Sequence, residues 1–187
     1  MLNRSSTLLN QNGESLPDEV TNADYVLLTH DHRDHIDPTA IPGMAEASPR
    51  ARFVVSRRHR RRLLDLRVTE ERLCLMDPED VLDLDGIRVT AVKSRHEFFD
   101  NDENGWPFLG FVVEHGRTAV YHCGDCVVYE GLLTTLSAWK LTVMFLPING
   151  RDAERYRRNT LGNMTYQEAA DLAGELHGHG DLPGGGL

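Results

Sequence analysis

The chain has 187 residues, of which 40% are hydrophobic and 26% charged, and its formal net charge is −9. That length suits one domain with a buried core, and the acidic balance argues against a nucleic-acid binder. No apolar run reaches bilayer length, residues 1–24 lack the apolar stretch of a secretory leader, and three cysteines (Cys74, Cys123, Cys126) fit a reducing compartment better than a disulfide framework, so the expected location is cytoplasmic with no membrane partner.

From the N-terminus, residues 1–23 are mostly polar and are expected to be loose. Tyr25-Val26-Leu27-Leu28 reads as a short buried strand. Asp37-Pro38 predicts an N-cap with proline at the first helical position, and a helix to about Ala47. Arg52 to Val55 is the next strand. Arg57 to Leu66 is a basic helix with Leu63, Leu64 and Leu66 turned inward. Seven arginines between Arg50 and Arg62 mark it as a surface element, and His59 within it is expected to be solvated.

Val81 to Leu84 and Ile87 to Val92 flank Asp85-Gly86, a hairpin signal. Residues 94–107 are polar and aromatic, with Asn104-Gly105 and Trp106-Pro107 as turn markers. Leu109 to Val113 and Thr118 to Cys123 form a second hairpin around His115-Gly116-Arg117. Val143 to Leu146 reads as a buried strand that Pro147 ends. Thr165-Tyr166-Gln167-Glu168 is a capping box opening a helix to about Leu176. The glycine-rich end, 177–187, is expected to be loose, which leaves 24–176 as the core of a single domain. Strands and helices alternate but hairpins interrupt them, so a mixed sheet is predicted.

The main chemical signal is Thr29-His30-Asp31-His32-Arg33-Asp34-His35, directly after the first strand. In extended chain His30 and His32 point the same way, and two imidazoles on one face can hold a divalent ion. After the turn, Asp34 and His35 can face a second ion. Imidazole with carboxylate suits zinc, manganese or iron. Two further candidates lie just past strand ends, where loop ligands gather on a rigid sheet: His96 in Ser94-Arg95-His96-Glu97, and Asp125 in Cys123-Gly124-Asp125.

Together His30-x-His32-x-Asp34-His35, the later His96 and the Gly124-Asp125 pair resemble the metallo-β-lactamase superfamily. The segments Thr29 to Pro38, His122 to Asp125, Leu146 to Asp152 and Gly162 to Thr165 resemble its L-ascorbate-6-phosphate lactonase branch. The resemblance implies an α/β fold, a metallo-β-lactamase-like αββα sandwich with mixed sheets. It implies two divalent ions, zinc or manganese, with His30, His32 and His96 on the first, Asp34 and His35 on the second, and Asp125 bridging. The implied activity is metal-dependent hydrolysis by a metal-bound hydroxide. Asp34 or Asp125 would accept a proton, and the substrate would be a phosphorylated sugar-acid lactone, L-ascorbate 6-phosphate opened to 3-keto-L-gulonate 6-phosphate. The alternatives are hydrolysis of another ester or a phosphodiester, or a catalytically incomplete metal-binding fragment. The family expects one more ligand histidine after a further strand, and His177 and His179 do not sit in that setting. The sequence therefore reads as an incomplete version of the fold, and a homo-oligomer is an open possibility.

Asn149, Arg151 and Asn163 are the candidate substrate-binding residues. Arg151, Arg155, Arg157 and Arg158 suit phosphate as guanidinium forks, or form an exposed helical face; both readings stand. His122 either orients a ligand or is a plain strand residue. Cys123-x-x-Cys126 has redox spacing, but one such pair alone is a weak signal. Cys123 is read as packing, and Cys126 as a neighbour that supports the Asp125 loop.

Overall fold

The computed structural model describes residues 17–96, 103–158 and 162–178. Of the segments expected to be loose, 1–16 and 179–187 lie outside them, whereas Pro17–Glu19 form a 3₁₀ turn, Val20 and Ala23 are tied by hydrogen bonds to the Ser48 hydroxyl, and His177 and Gly178 continue the last helix. The chain packs as two compact units, Met1–Leu75 and Met76–Leu187.

The first unit is built on strand β1 (Tyr25–Leu28), helix α1 (Ala40–Ala47), strand β2 (Arg52–Ser56), helix α2 (Arg60–Asp65) and strand β3 (Leu73–Met76). The sheet order is β1-β2-β3, and β1 runs parallel to β2 with Tyr25 opposite Arg52 and Leu28 opposite Val55. Phe53, Val54 and Val55 are all fully buried, the signature of a strand covered on both faces. Leu28, Ile36, Phe53, Val55 and Leu63 join Ile41 and Ala45 of α1 in one apolar cluster. Ile41 and Ala45 are four residues apart and so share a helix face.

Helix α1 starts later than the sequence predicts. The Asp37 carboxylate accepts from the Thr39 backbone N–H (2.6 Å), the Thr39 hydroxyl (2.6 Å) and the Ala40 N–H (3.0 Å). Asp37 thus closes a turn ahead of the helix, and those bonds hold its carboxyl below the ordinary range. Arg72 donates to the carbonyls of Ala45 (2.9 Å), Ser48 (2.8 Å) and Ala51 (2.7 Å), satisfying carbonyls at and just past the helix end. The basic segment is a 3₁₀ turn (Arg57–His59) followed by α2. Its charges pair as Arg60–Glu70, Arg61–Asp65 and Arg62–Asp31. His59 is buried, not solvated.

The second unit is a mixed five-stranded sheet in the order β4 (Val81–Leu84), β5 (Ile87–Lys93), β6 (Leu109–His115), β7 (Thr118–His122), β8 (Val143–Phe145). All neighbours are antiparallel except β7 and β8. Asp85 (φ 56°) and Gly86 (φ 87°) make the first hairpin turn; two positive φ values are the mark of the type I′ geometry that suits strand twist. Three helices complete the unit: α3 (Leu132–Leu136), α4 (Ala153–Arg157) and α5 (Tyr166–Gly178). Leu132 and Leu136 of α3 and Ala169 and Leu172 of α5 pack with Val92, Val112 and Tyr121 of the sheet. Strand β8 differs from expectation: Val143 is 42% and Phe145 56% exposed. It is the last strand in the sheet order, so only one edge is paired by β7. Among the described residues, no helix is long and apolar enough to cross a membrane.

Candidate metal centre

In the first unit the candidate ligands follow β1 directly. Leu28, Thr29 and His30 are buried, which fixes the start of the loop. The chain then turns back on itself: the His35 and Ile36 N–H groups both donate to the His32 carbonyl at 2.9 Å. Ile36 is fully buried and pins the turn to the apolar cluster. This brings three imidazoles together. The ring centroids of His30 and His32 are 4.5 Å apart at an interplanar angle of 76°, and those of His30 and His35 are 4.0 Å apart at 40°.

Thr29 is a residue the sequence reading overlooked. Its hydroxyl lies 3.0 Å from His30 Nδ1 and 3.3 Å from His35 Nδ1. With Nδ1 engaged on both rings, Nε2 is the nitrogen left to face an ion. Such a bond to the far ring nitrogen is how ligand histidines are usually oriented. Asp34 is 81% exposed at its side chain and lies 4.0 Å from His35 Nε2. Asp31 is drawn off by Arg62 at 3.1 Å.

In the second unit His96 is buried, and its Nε2 lies 3.7 Å from an Asp125 carboxylate oxygen. The two loops that carry them are stitched together. The Ser94 hydroxyl donates to the Cys123 carbonyl (3.0 Å), and the Val127 N–H to the Arg95 carbonyl (2.8 Å). Gly124 (φ 66°) makes the bend that presents Asp125, a conformation glycine adopts at little cost. The Gly124 N–H donates to His122 Nδ1 at 3.0 Å. A neutral His122 therefore carries its proton on Nε2, and it acts on the backbone of the Asp125 turn.

Cys123 and Cys126 form a disulfide across that same turn. This corrects the expectation of no disulfide, while Cys123 is buried in the apolar core as expected. The bond closes the Gly124-Asp125 loop, and Cys126 also accepts the Met164 N–H on its carbonyl (2.8 Å). Cys74 remains a buried free thiol.

Of the candidate substrate-binding residues, Arg151 spends both guanidinium arms on Glu168, at 2.6 and 2.5 Å, and also reaches the Asn163 carbonyl at 3.2 Å. Arg155 donates to the carbonyls of Asn149 and Gly150. Arg157 and Arg158 both pair with Glu154 on α4. Asn149 is exposed, whereas Asn163 is buried with its side-chain oxygen unpartnered among the described residues. A cavity of about 380 Å³ in this unit is lined by His96, Arg95, Arg151 and Tyr156, among others.

The donor set suits a divalent ion on its chemistry. His30 and His32 from the first unit, and His96 and Asp125 from the second, are ligand-type groups, and neutral imidazole with carboxylate is what zinc and manganese accept. Asp34 and His35 form a separate pair of the same kind.

A family model described as the beta-lactamase superfamily domain matches residues 2–181. A UPF0173 metal-dependent hydrolase of Saccharolobus solfataricus is 28% identical over 131 residues, which cover 70% of this chain and 55% of that protein. The chain thus spans about half the length of the curated relatives it matches. Among solved structures, the metallo-beta-lactamase fold protein YhfI of Bacillus subtilis superposes with a TM-score of 0.62 at 17% identity, covering 82% of this chain and 60% of that one. CmlA, a diiron beta-hydroxylase from Streptomyces venezuelae, superposes with a TM-score of 0.68 at 15% identity, over 83% and 34%. Both likenesses show a metallo-β-lactamase-like α/β fold with mixed sheets.

Proposed function

Since this chain belongs to the beta-lactamase superfamily, we propose that it is a metal-dependent hydrolase, the activity its curated relatives are named for. The observation that carries the reading is the built geometry within each unit: three imidazoles gathered around Thr29, and His96 set beside Asp125. In this reading His30, His32 and His96 hold one divalent ion, Asp34 and His35 a second, and Asp125 is shared. Such ions supply Lewis acidity and lower the pKa of a coordinated water. The chain's own residues do the rest. Thr29 sets the ring orientation of two ligands. The solvent-facing Asp34, or Asp125, would take the proton of the added hydroxyl and pass it to the ring oxygen as the lactone C–O bond breaks.

For the substrate, the reading is an anionic lactone of the phosphorylated sugar-acid class, L-ascorbate 6-phosphate among them. The support is the cavity beside His96 with Arg95 and Tyr156 in its wall. That wall, which also holds Arg151, offers guanidinium and hydroxyl groups, the chemistry that recognises a phosphate. Metal analysis of protein purified without chelator tests the centre: His30→Ala with His32→Ala is expected to abolish the first site, and unchanged metal content would refute the assignment. A panel of phosphorylated lactones, unphosphorylated lactones, β-lactams and RNA tests the substrate, with phosphorylated lactones expected to be preferred. RNA cleavage without lactone hydrolysis would overturn it.

A further inference from the structure

The second unit holds another cavity, of about 400 Å³, that takes no part in the chemistry above. Its floor is the end of β5, where Thr90 and Val92 share one face of the strand. Strand β4 stops pairing at Val81, opposite Thr90. The chain before it stays alongside β5, because the Glu79 N–H donates to the Ala91 carbonyl (2.8 Å) and the Ala91 N–H to the Asp80 carbonyl (2.9 Å). Glu79 adopts φ 76° to do so, a left-handed conformation that costs a residue with a side chain about 1 kcal/mol or more. That conformation fixes Glu79 at the rim.

The opposite rim is built in a similar way. Gly131 (φ 92°) turns the chain into α3 and leaves Glu130 at the cavity mouth. Tyr129 forms one wall, its hydroxyl bonded to the Lys93 carbonyl, and burial pushes its pKa up to about 12. Trp139 forms another wall, with its indole N–H donated to Glu114 at 3.3 Å. Lys93 also lines the cavity, with its ammonium over the Trp106 ring, 4.6 Å from its centre. Neither the Glu79 nor the Glu130 carboxylate has a hydrogen bond or ion pair among the described residues.

We propose that this cavity binds an organic cation, an amine carrying a compact apolar body. The two carboxylates at the rim attract the ammonium, the Thr90 and Thr135 hydroxyls accept its N–H groups, and the Tyr129 and Trp139 rings favour a cation near their faces. Val92, Tyr129 and Trp139 in the lining favour an organic body over a hydrated metal ion. The volume falls in the range of small-molecule sites, about 300–1,000 Å³.

The test is an amide and indole NMR titration of the whole protein with benzylamine, benzyl alcohol and benzoate at neutral pH. Benzylamine is expected to shift the Trp139 indole and the Thr90 and Thr135 amides. Benzyl alcohol is expected to bind about tenfold more weakly, and benzoate not at all. Glu79→Gln with Glu130→Gln should weaken benzylamine about tenfold, whereas Asp24→Asn with Glu46→Gln, which removes the same charge elsewhere, should leave it unchanged. Equal binding of amine and alcohol, shifts scattered over the surface, equal loss in both double variants, or no loss in the first would each overturn the proposal. No metal or hydrolysis is read, so the outcome stands apart from the hydrolase reading.

Discussion

Glu168→Gln tests how the arginine-rich segment is wired. The Glu168 carboxylate receives both arms of Arg151 at 2.6 and 2.5 Å and the Thr165 N–H at 2.9 Å, while its own N–H donates to the Thr165 hydroxyl at 3.2 Å. The Arg151 hydrogen bonds, against the opposing effect of burial and with help from the Thr165 N–H, lower its pKa from 4.5 to about 2. At about 1.4 kcal/mol per pH unit, that fall corresponds to roughly 3 kcal/mol. The side chains are 33% and 30% exposed, so screening by water reduces it to about 1–2 kcal/mol. Glutamine keeps the capping box through its amide oxygen, so the difference reports the ion pair. For a protein of this size the melting temperature should drop by roughly 2–8 °C at pH 7. Because the folded pKa lies below the unfolded one, the contribution is complete above pH 4.5 and is lost as pH falls from there through about 2. Melts followed by circular dichroism at pH 7 and down to pH 2 provide the assay. A variant melting within about 1 °C of wild type at pH 7, or a gap that persists undiminished at pH 2, would refute the reasoning.

Three further outcomes follow from the packing. Thr29→Val should leave the fold intact but weaken metal binding by about 10–100-fold, as loss of ligand-orienting bonds commonly does; Thr29→Ser should restore it, both read by calorimetric titration with zinc or manganese. Ile36→Ala empties a fully buried position under the ligand turn and should cost about 2–5 kcal/mol in urea denaturation. Gly110→Ala would place a methyl 3.0 Å from the Tyr121 ring and 3.1 Å from the His122 carbonyl, so a loss of about 1–3 kcal/mol is expected by the same assay; a neutral result would mean that β6 and β7 can separate there.

What was legible in the sequence was local. Strand β1 and the ligand motif after it lie within eleven consecutive residues, Tyr25 to His35, and the capping box at Thr165 has both partners three residues apart. Both hairpins announced themselves through glycine-containing turns. What escaped was set by distant partners. His59 sits among arginines, so its neighbours predicted solvent, yet packing buries it. Leu73 to Met76 is an apolar run as long as β1, yet a run of that length is ambiguous by itself and becomes a strand through its place beside β2. The Arg151–Glu168 fork joins residues 17 apart, and the three bonds of Arg72 reach back 21 to 27 residues; no periodicity encodes either. Helix α1 began late because Asp37 had a second use open to it, closing its own turn with Thr39.

The candidate ligands differ in how firmly each unit holds them, and that bears on where metal binding is expected to be strongest. Asp125 sits in a loop closed by the Cys123–Cys126 disulfide, tied to β7 through His122 Nδ1 and to the His96 loop through Ser94 and Val127. His30 and His35 share the Thr29 hydroxyl, above a turn anchored by Ile36. For these groups, binding an ion orders little that is not already ordered, and preorganisation of that kind raises affinity by cutting the entropy lost. Asp34 is different. Its carboxylate is 81% exposed and lies 4.0 Å from His35 Nε2. Freezing such a side chain opposes ligation, so on the proposed ligand assignment the ion given to His30, His32 and His96 should be the tighter, and the ion relying on Asp34 the first to be lost to a chelator.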